Sequence, residues 1–319
     1  MGNALLLHPP ATQTVPELRH RMLRRRLQWL LIHFGPRRDV TVETFNGTLT
    51  FPSDKWFPGK DLYVKRNHEE QQTVTAIEGL CRQGYLSQSS THRTVLNVGA
   101  NIGMTCIGLV RHGYFDRAIA FEPAPDNYRL LTHNIKQNGL SNSIVPFQLA
   151  LSSSSAVSEM ELSPDNPGDH RIRQSRSPGF FREQKRRTIK ILSKTLDEVA
   201  ERDPYIQHQR IDLVWVDIQG HEGHFFEGAR KFLGRGVPVV SEFWPYGLQR
   251  AGTSPAKFCQ ILAELFGSFS LVGLAPFREE PIAAFARLFG IYRSPREFGL
   301  VIFLPKSCSR SRKLCQGQD

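Results

Sequence analysis

Apolar positions change their period along the 319-residue chain. From Glu17 to Phe34, Leu18, Met22, Leu27, Leu30, Leu31 and Phe34 recur at near-helical spacing with arginines between them, and Gly35-Pro36 stops the run. The pattern predicts a basic amphipathic helix. Packing on the protein's own core is its simpler explanation, with a peripheral membrane surface or a partner as the alternative. Further on, Thr41 to Phe45 and Thr48 to Phe51 flank Asn46-Gly47, a hairpin signature, and a helix is expected from Glu69 to Gln83. Residues 1–90 thus read as a helix followed by a small lead-in subdomain.

From Thr94 the pattern becomes apolar runs of strand length alternating with helical stretches, as βαβ units and a parallel sheet require. Candidate strands are Val95 to Val98, Ala118 to Phe121, Ile144 to Leu149, Leu213 to Asp217, Val237 to Phe243, Ser268 to Val272 and Leu300 to Leu304. The expected fold is α/β and Rossmann-like: a seven-stranded, mostly parallel sheet with helices on both faces, within a domain spanning 91–305. Residues 152–187 are rich in Ser, Pro, Gly and Arg and read as a loop-rich insertion. A hairpin pairing Val157 to Leu162 with Thr188 to Leu192 is expected to bracket it. Residues 306–319 read as a basic, disordered tail.

Composition adds a bias without a partner. With 40% hydrophobic and 22% charged residues the chain can bury a substantial core. The net charge of +11 is concentrated in Arg19 to Arg26, Arg171 to Arg187 and the tail around Arg310, Arg312 and Lys313. These segments read first as solvated loops and terminal arms. An anion-binding role toward nucleic acid, a lipid surface or an acidic glycan is the lesser alternative. Five cysteines form no CxxC pair, and no metal-spaced cluster is evident, so neither a disulfide framework nor a metal site is expected. No apolar run spans a bilayer, the first residues lack signal-peptide order, and Leu6 stands where a myristoylation signal wants Ser or Thr. A soluble, cytoplasmic protein is the expectation.

The chemistry centres on Thr94 to Thr105, where a buried strand runs through Asn97-Val98-Gly99-Ala100-Asn101-Ile102-Gly103 into a helix. Glycine allows the tight turn and close backbone approach to a ligand, and the new helix presents free N–H groups. A dinucleotide fingerprint would need glycine where Asn101 and Met104 stand, so a cofactor without a pyrophosphate suits the turn better. About twenty residues on, Phe121-Glu122-Pro123 puts a carboxylate at the end of the next strand, where it can accept both hydroxyls of a ribose.

Taken together, Asn97 to Gly103, Phe121-Glu122-Pro123, Asn134 and Asn138, Leu149-Ala150-Leu151-Ser152, Thr195-Leu196-Asp197, Val216 to Glu222 and Glu242 closely resemble the FkbM-type methyltransferases. That resemblance implies a class I methyltransferase fold and S-adenosyl-L-methionine as cofactor. It implies that Asn97, Gly99, Ala100, Asn101 and Gly103 line the methionine part, Glu122 and Pro123 the ribose, and Gln148 to Ala150 the neighbourhood of the adenine. Asn97 stands in place of the family's usual aspartate, Gln219 in place of a glutamate, and Trp215 where lysine is common.

Methyl transfer from a sulfonium needs a nucleophile held in line, and a hydroxyl acceptor also needs a base. Asp217, then Glu222 and His221, are the candidates for positioning or base work. Their competing structural roles are capping at Gly220, offsetting a helix dipole, and packing. Glu242 and Trp244 are candidates for holding substrate. Asp126, Asn127 and Asn134 read as helix caps, and Asn166-Pro167-Gly168 as a turn before a lid. The leading expectation is O-methylation of a small-molecule, sugar or glycolipid hydroxyl. Alternatives are an N-methyltransferase, a nucleic-acid-binding methyltransferase, or a degenerate domain without catalysis.

Overall fold

A computed structural model describes residues 15–67, 70–86, 92–273 and 277–306. Residues 307–319 of the tail expected over 306–319, with Cys308 and Cys315, and also Leu6 and Glu69, lie outside the described residues. The lead-in comprises α1 (Val15–His33), β1 (Asp39–Thr44), β2 (Gly47–Pro52), α2 (Gly59–Val64) and α3 (Glu70–Arg82). One half of the main sheet follows as β3 (Thr94–Val98), α4 (Met104–Arg111), β4 (Arg117–Phe121), α5 (Pro125–Gln137) and β5 (Ile144–Phe147). The insertion contributes β6 (Ala150–Leu151), β7 (Ala156–Glu161), β8 (Arg171–Ile172) and β9 (Thr188–Lys194). Next come α6 (Leu196–Arg202), α7 (Pro204–Gln207), β10 (Leu213–Val216), α8 (Glu222–Gly228), α9 (Arg230–Leu233) and β11 (Val239–Phe243). The chain closes with α10 (Pro245–Arg250), α11 (Pro255–Leu265), β12 (Phe266–Leu271), β13 (Glu280–Pro281), α12 (Leu288–Ile291) and β14 (Gly299–Pro305).

The main sheet runs in the order β13-β12-β14-β11-β10-β3-β4-β5. Five adjacent strands, from β11 through β5, are parallel, and β14 enters antiparallel between β11 and β12. All seven expected strands are present. An eighth, β13, pairs Ser268 with Pro281 and Phe269 with Glu280, and two residues are too few to show a hydrophobic period.

Side-chain alternation on the strands feeds two cores. Leu96, Val98, Val214, Val216 and Phe243 point to a layer that includes Phe225, Phe226, Phe258 and Phe285. Val95, Leu213, Trp215 and Val240 point to the opposite layer, built from α1 to α5 and the lead-in hairpin. Each fully buried large apolar side chain contributes roughly 1.5–3 kcal/mol.

The insertion is more ordered than its composition predicts. β7 pairs antiparallel with β9 as expected, with Val157 opposite Leu192 and Glu161 opposite Thr188, within a sheet of order β6-β9-β7-β8. The expectation of solvated arginines fails for three of them. Arg171 bonds Asp169 (2.7 Å) and Glu183 (3.0 Å), Arg173 bonds Glu161 (3.2 Å), and Arg186 bonds Asp169 (2.5 Å). All three guanidinium groups are shielded, and each has a carboxylate partner, the condition under which buried charge is tolerated. Arg176, Arg182, Lys185 and Arg187 remain exposed.

Asn134 caps no helix end. It is fully buried within α5, where its Oδ1 accepts the Thr50 N–H (2.8 Å) and its Nδ2 donates to the carbonyls of Thr50 (3.1 Å) and Ile102 (2.8 Å). Asn138 grips Thr48 in the same way, and Gln137 donates to the Thr48 carbonyl. These amides bond β2 as a neighbouring strand would, and Asn134 also holds the loop that opens α4. Asn134→Ala leaves two carbonyls and an N–H unpaired, which costs about 3 kcal/mol. Urea denaturation should show a lower midpoint at unchanged slope, and an unchanged midpoint would refute this role.

Candidate functional site

The parallel strands end at an edge where their connections separate, and two adjoining cavities open there. The larger, about 380 Å³, is lined by Asn97, Gly99, Ala100, Asn101, Asp217, Gln219, Glu242 and Trp244 among others. The smaller, about 50 Å³, is lined by Gly99, Asn101, Glu122, Pro123, Ala150, Asp217, Gln219 and His221 among others. Gly99, Asn101, Gly168, Asp217 and Gln219 border both.

The turn after β3 is shaped by backbone contacts. The N–H groups of Gly99 (3.0 Å) and Ala100 (2.9 Å) both donate to the Phe121 carbonyl, tying β3 to β4, while the Asp217 N–H donates to the Val98 carbonyl (3.0 Å). Gly99 has φ +82°, and a Cβ on it would lie 1.8 Å from the Asp217 carbonyl oxygen, so no side chain fits. Gly103 stands at the start of α4 and lines neither cavity.

Three polar side chains surround this turn. Asn97 is 1% exposed on β3, and its Oδ1 is buried without a hydrogen-bond partner, as is the Oδ1 of Asn101. Glu122, at the end of β4, accepts the Asn101 N–H on Oε2 (2.8 Å) and the Ala124 N–H on Oε1 (2.9 Å). Burial pushes its carboxyl up to about 7, against the pull of those two bonds.

Across the turn, Gln219 has φ +55° and donates from Nε2 to Asp217 Oδ1 (2.7 Å) and to Glu242 Oε2 (3.1 Å). One neutral amide thereby separates two carboxylates facing the larger cavity. Trp244 forms a wall: its Nε1 donates to the Pro295 carbonyl (2.8 Å), and the Arg171 guanidinium lies 4.3 Å from its ring centroid.

Two candidates for catalysis stand away from the larger cavity. Glu222 is completely buried at the start of α8, accepts the Ile218 N–H (3.1 Å), and lines neither cavity. Burial, reinforced by nearby Asp217, pushes its carboxyl up to about 7. His221 borders only the smaller of the two; its Nε2 lies 2.8 Å from Ser152 Oγ and its ring stacks on His224 at 4.4 Å. Burial, then the charge of His224, hold its pKa well below the ordinary histidine value.

Other walls carry no sequence motif. Phe57 and Gln72 reach the larger cavity from the lead-in, Asp169, Arg171 and Phe181 from the insertion, and Arg296 and Phe298 from the segment before β14. Only Arg171 stood out in the sequence, as one of a charged run. The Asn166-Pro167-Gly168 turn lies against the glycine turn: Asn127 Nδ2 donates to the Pro167 carbonyl (3.1 Å), and Gly168 borders both cavities. Asn127 is therefore a buried tie to that turn. Among the described residues no cluster of His, Cys, Asp and Glu could hold a metal ion.

Five parallel strands, an antiparallel β14 inserted before β12, and a polar cleft at the strand ends beside the glycine turn define a class I methyltransferase. Residues 97–265, more than half of the chain, match the methyltransferase FkbM domain, and the chain belongs to that family. Methyl transfer is the activity this membership carries. Methyltransferase sdnD of Sordaria araneosa is 27% identical over 176 residues, which cover 49% of this chain and 68% of that protein. Among solved structures, methyltransferase FkbM from Methylobacillus flagellatus KT is similar at 13% identity and a TM-score of 0.41, over 89% of this chain. The match spans 59% of that structure's length. M. jannaschii TYW2 in complex with AdoMet is similar at 12% identity and a TM-score of 0.41, over 86% of this chain and 89% of that one.

Glu222 provides a test of its structural role. Burial holds its carboxyl above the ordinary value in the folded protein, so its stabilising contribution is full below the unfolded value and is lost as pH rises through the raised one. Glu222→Gln should therefore gain on the wild type as pH rises from 5 to 8 in urea denaturation. Parallel stability curves would refute the assignment.

Proposed function

We propose that the protein transfers a methyl group from S-adenosyl-L-methionine to a hydroxyl of a small-molecule, sugar or glycolipid acceptor. The observation carrying this reading is the pair of buried, unpartnered amide oxygens, Asn97 Oδ1 and Asn101 Oδ1, with the Glu122 carboxylate bonded to the Asn101 N–H. An ammonium group donates hydrogen bonds and a vicinal diol donates two more, so these acceptors fit the amino-acid and ribose ends of that cofactor. When bound, the cofactor supplies an electrophilic methyl on a positively charged sulfur.

The chain's own residues then orient the acceptor and manage its proton. Asp217 borders both cavities, the smaller lined by Glu122 and the larger by Asn97, Glu242 and Trp244. Its Oδ1 is held by Gln219, which fixes the carboxylate's direction, and Asp217 takes up the acceptor's hydroxyl proton as the new bond forms. Glu242, held by the same amide, and Trp244 position the acceptor, while Phe181 and the Asn166-Pro167-Gly168 turn exclude water. Asn97 offers a neutral acceptor where an aspartate would offer a charge, which lowers the cofactor's affinity without removing the contact.

Calorimetry with S-adenosyl-L-methionine tests the first half. Glu122→Ala should weaken binding at least tenfold, roughly the loss of charge-assisted bonds to the ribose. Because Glu122 titrates near 7 and its ionised form accepts the diol, affinity should rise about tenfold from pH 6 to pH 8. Glu122→Gln should remove that rise. Absence of binding by the wild type overturns the reading.

The second half needs an acceptor, found by screening hydroxylated compounds for labelled-methyl uptake. Asp217→Asn should then lower kcat by roughly 10²–10⁴ with cofactor affinity little changed. Retention of full turnover, or a product methylated on nitrogen, would count against the assignment.

A further inference from the structure

The helix α1 presents two apolar faces, and only one of them is used by the fold. On the inner face Trp29 is 1% exposed against Phe51 and Tyr63, the Arg25 guanidinium donates to the Val64 carbonyl (3.3 Å), and His33 Nδ1 lies 2.9 Å from the Ser53 carbonyl. The outer face carries Leu23 (55% exposed), Leu27 (58%), Leu30 (38%), Leu31 (79%) and Phe34 (79%). Phe34 continues the helical path, its N–H donating to the Leu30 carbonyl (3.0 Å). At helical pitch these five positions occupy a stripe about 100° wide, on the side away from Trp29. They are five of the eleven exposed large apolar side chains of the described residues, so the apolar surface is concentrated here.

We propose that this outer face docks on an anionic lipid bilayer. Arg19, Arg21, Arg24 and Arg26 are exposed on the same helix, and no carboxylate occurs in the sequence from Arg19 through Phe34. At helical spacing Arg24 flanks the stripe on one side and Arg19 and Arg26 on the other. An interfacial helix has this form: an apolar stripe that enters the acyl boundary, with basic side chains at headgroup level. Charge also argues against a second copy as the occupant. Two stripes packed face to face would bring the arginines of both copies together, with no acid from Arg19 through Phe34 of either copy to offset them.

The docking face is tied to the candidate site through one short segment. Gly59 lies so close to Trp29 that a Cβ there would come within 2.6 Å of the indole, and Phe57 and Pro58 immediately before it line the larger cavity. The helix that holds the bilayer is thereby braced against part of the acceptor cavity's wall.

Vesicle sedimentation of the full chain tests the proposal without the cofactor or an acceptor, so its failure is separate from any failure of the methyl-transfer reading. The protein should pellet with vesicles of phosphatidylcholine mixed with phosphatidylserine and stay in solution with phosphatidylcholine alone. Leu27→Asp combined with Leu31→Asp should abolish pelleting, and because both side chains are exposed the variant's melting temperature should match the wild type. Arg24→Gln combined with Arg26→Gln should weaken binding roughly tenfold or more. The proposal is overturned if the wild type stays in solution with both vesicles, or if the aspartate variant pellets as the wild type does. It is equally overturned if light scattering shows a wild-type dimer that the aspartate variant lacks and no vesicle binding accompanies it.

Discussion

The close approach of two backbones at the ends of β3 and β10 organises the candidate site. Gly99 abuts the Asp217 carbonyl without room for a side chain, and the Asp217 N–H is bonded back to Val98. The contact sets the acceptors of one strand beside the carboxylate of the next. A larger residue at 99 would push the strands apart and displace Asn97, Asn101 and Asp217 together. Asn134 holds the same loop from the other side, through the Ile102 carbonyl, so the lead-in hairpin and the glycine turn share one buried amide.

Charge around the cavity is arranged by pairing rather than by exposure. The insertion's buried arginines spend their donors on Asp169, Glu161 and Glu183, and Tyr246 adds a further bond to Glu183 (2.7 Å). Buried pairs of this kind stabilise little by themselves, but losing one member is costly, which favours a single arrangement of the segment. Arg171 then lies over Trp244 with its charge already matched, so the aromatic wall is fixed in place. Gln219 serves the carboxylates of Asp217 and Glu242 in the same manner, as a neutral donor between like charges.

The fold was legible wherever a period could declare itself. Seven strands, the lead-in hairpin and the pairing of β7 with β9 follow from alternation and turn chemistry, because those segments bury one or both faces. The two residues of β13 carry no period. The buried state of Arg171, Arg173 and Arg186 was hidden because their partners, Asp169, Glu161 and Glu183, are set by the folding of the insertion and not by any helical or strand spacing. The role of Asn134 has no local signature, since the backbone groups its side chain bonds belong to Thr50 on β2 and Ile102 in the loop before α4, far away in the chain. In the site, the side chains gathered at the glycine turn belong to local motifs, so their proximity was legible. The placement of Glu222 was not, because a carboxylate one turn past a strand end has the same sequence appearance whether it faces a cleft or, as here, the Ile218 N–H. The distant walls, Phe57, Gln72 and Phe298, had no local signature at all.

Those walls come from three stretches of chain that share no element with β3, α4 or β4. Their side chains can be exchanged, lengthened or trimmed while the turn at Gly99 and the carboxylate of Glu122 stay as they are. The molecule is thereby divided into a turn fixed by backbone contacts and a rim whose side chains those contacts do not constrain. Such a division lets the lining of the cavity change in small steps while the turn keeps its shape.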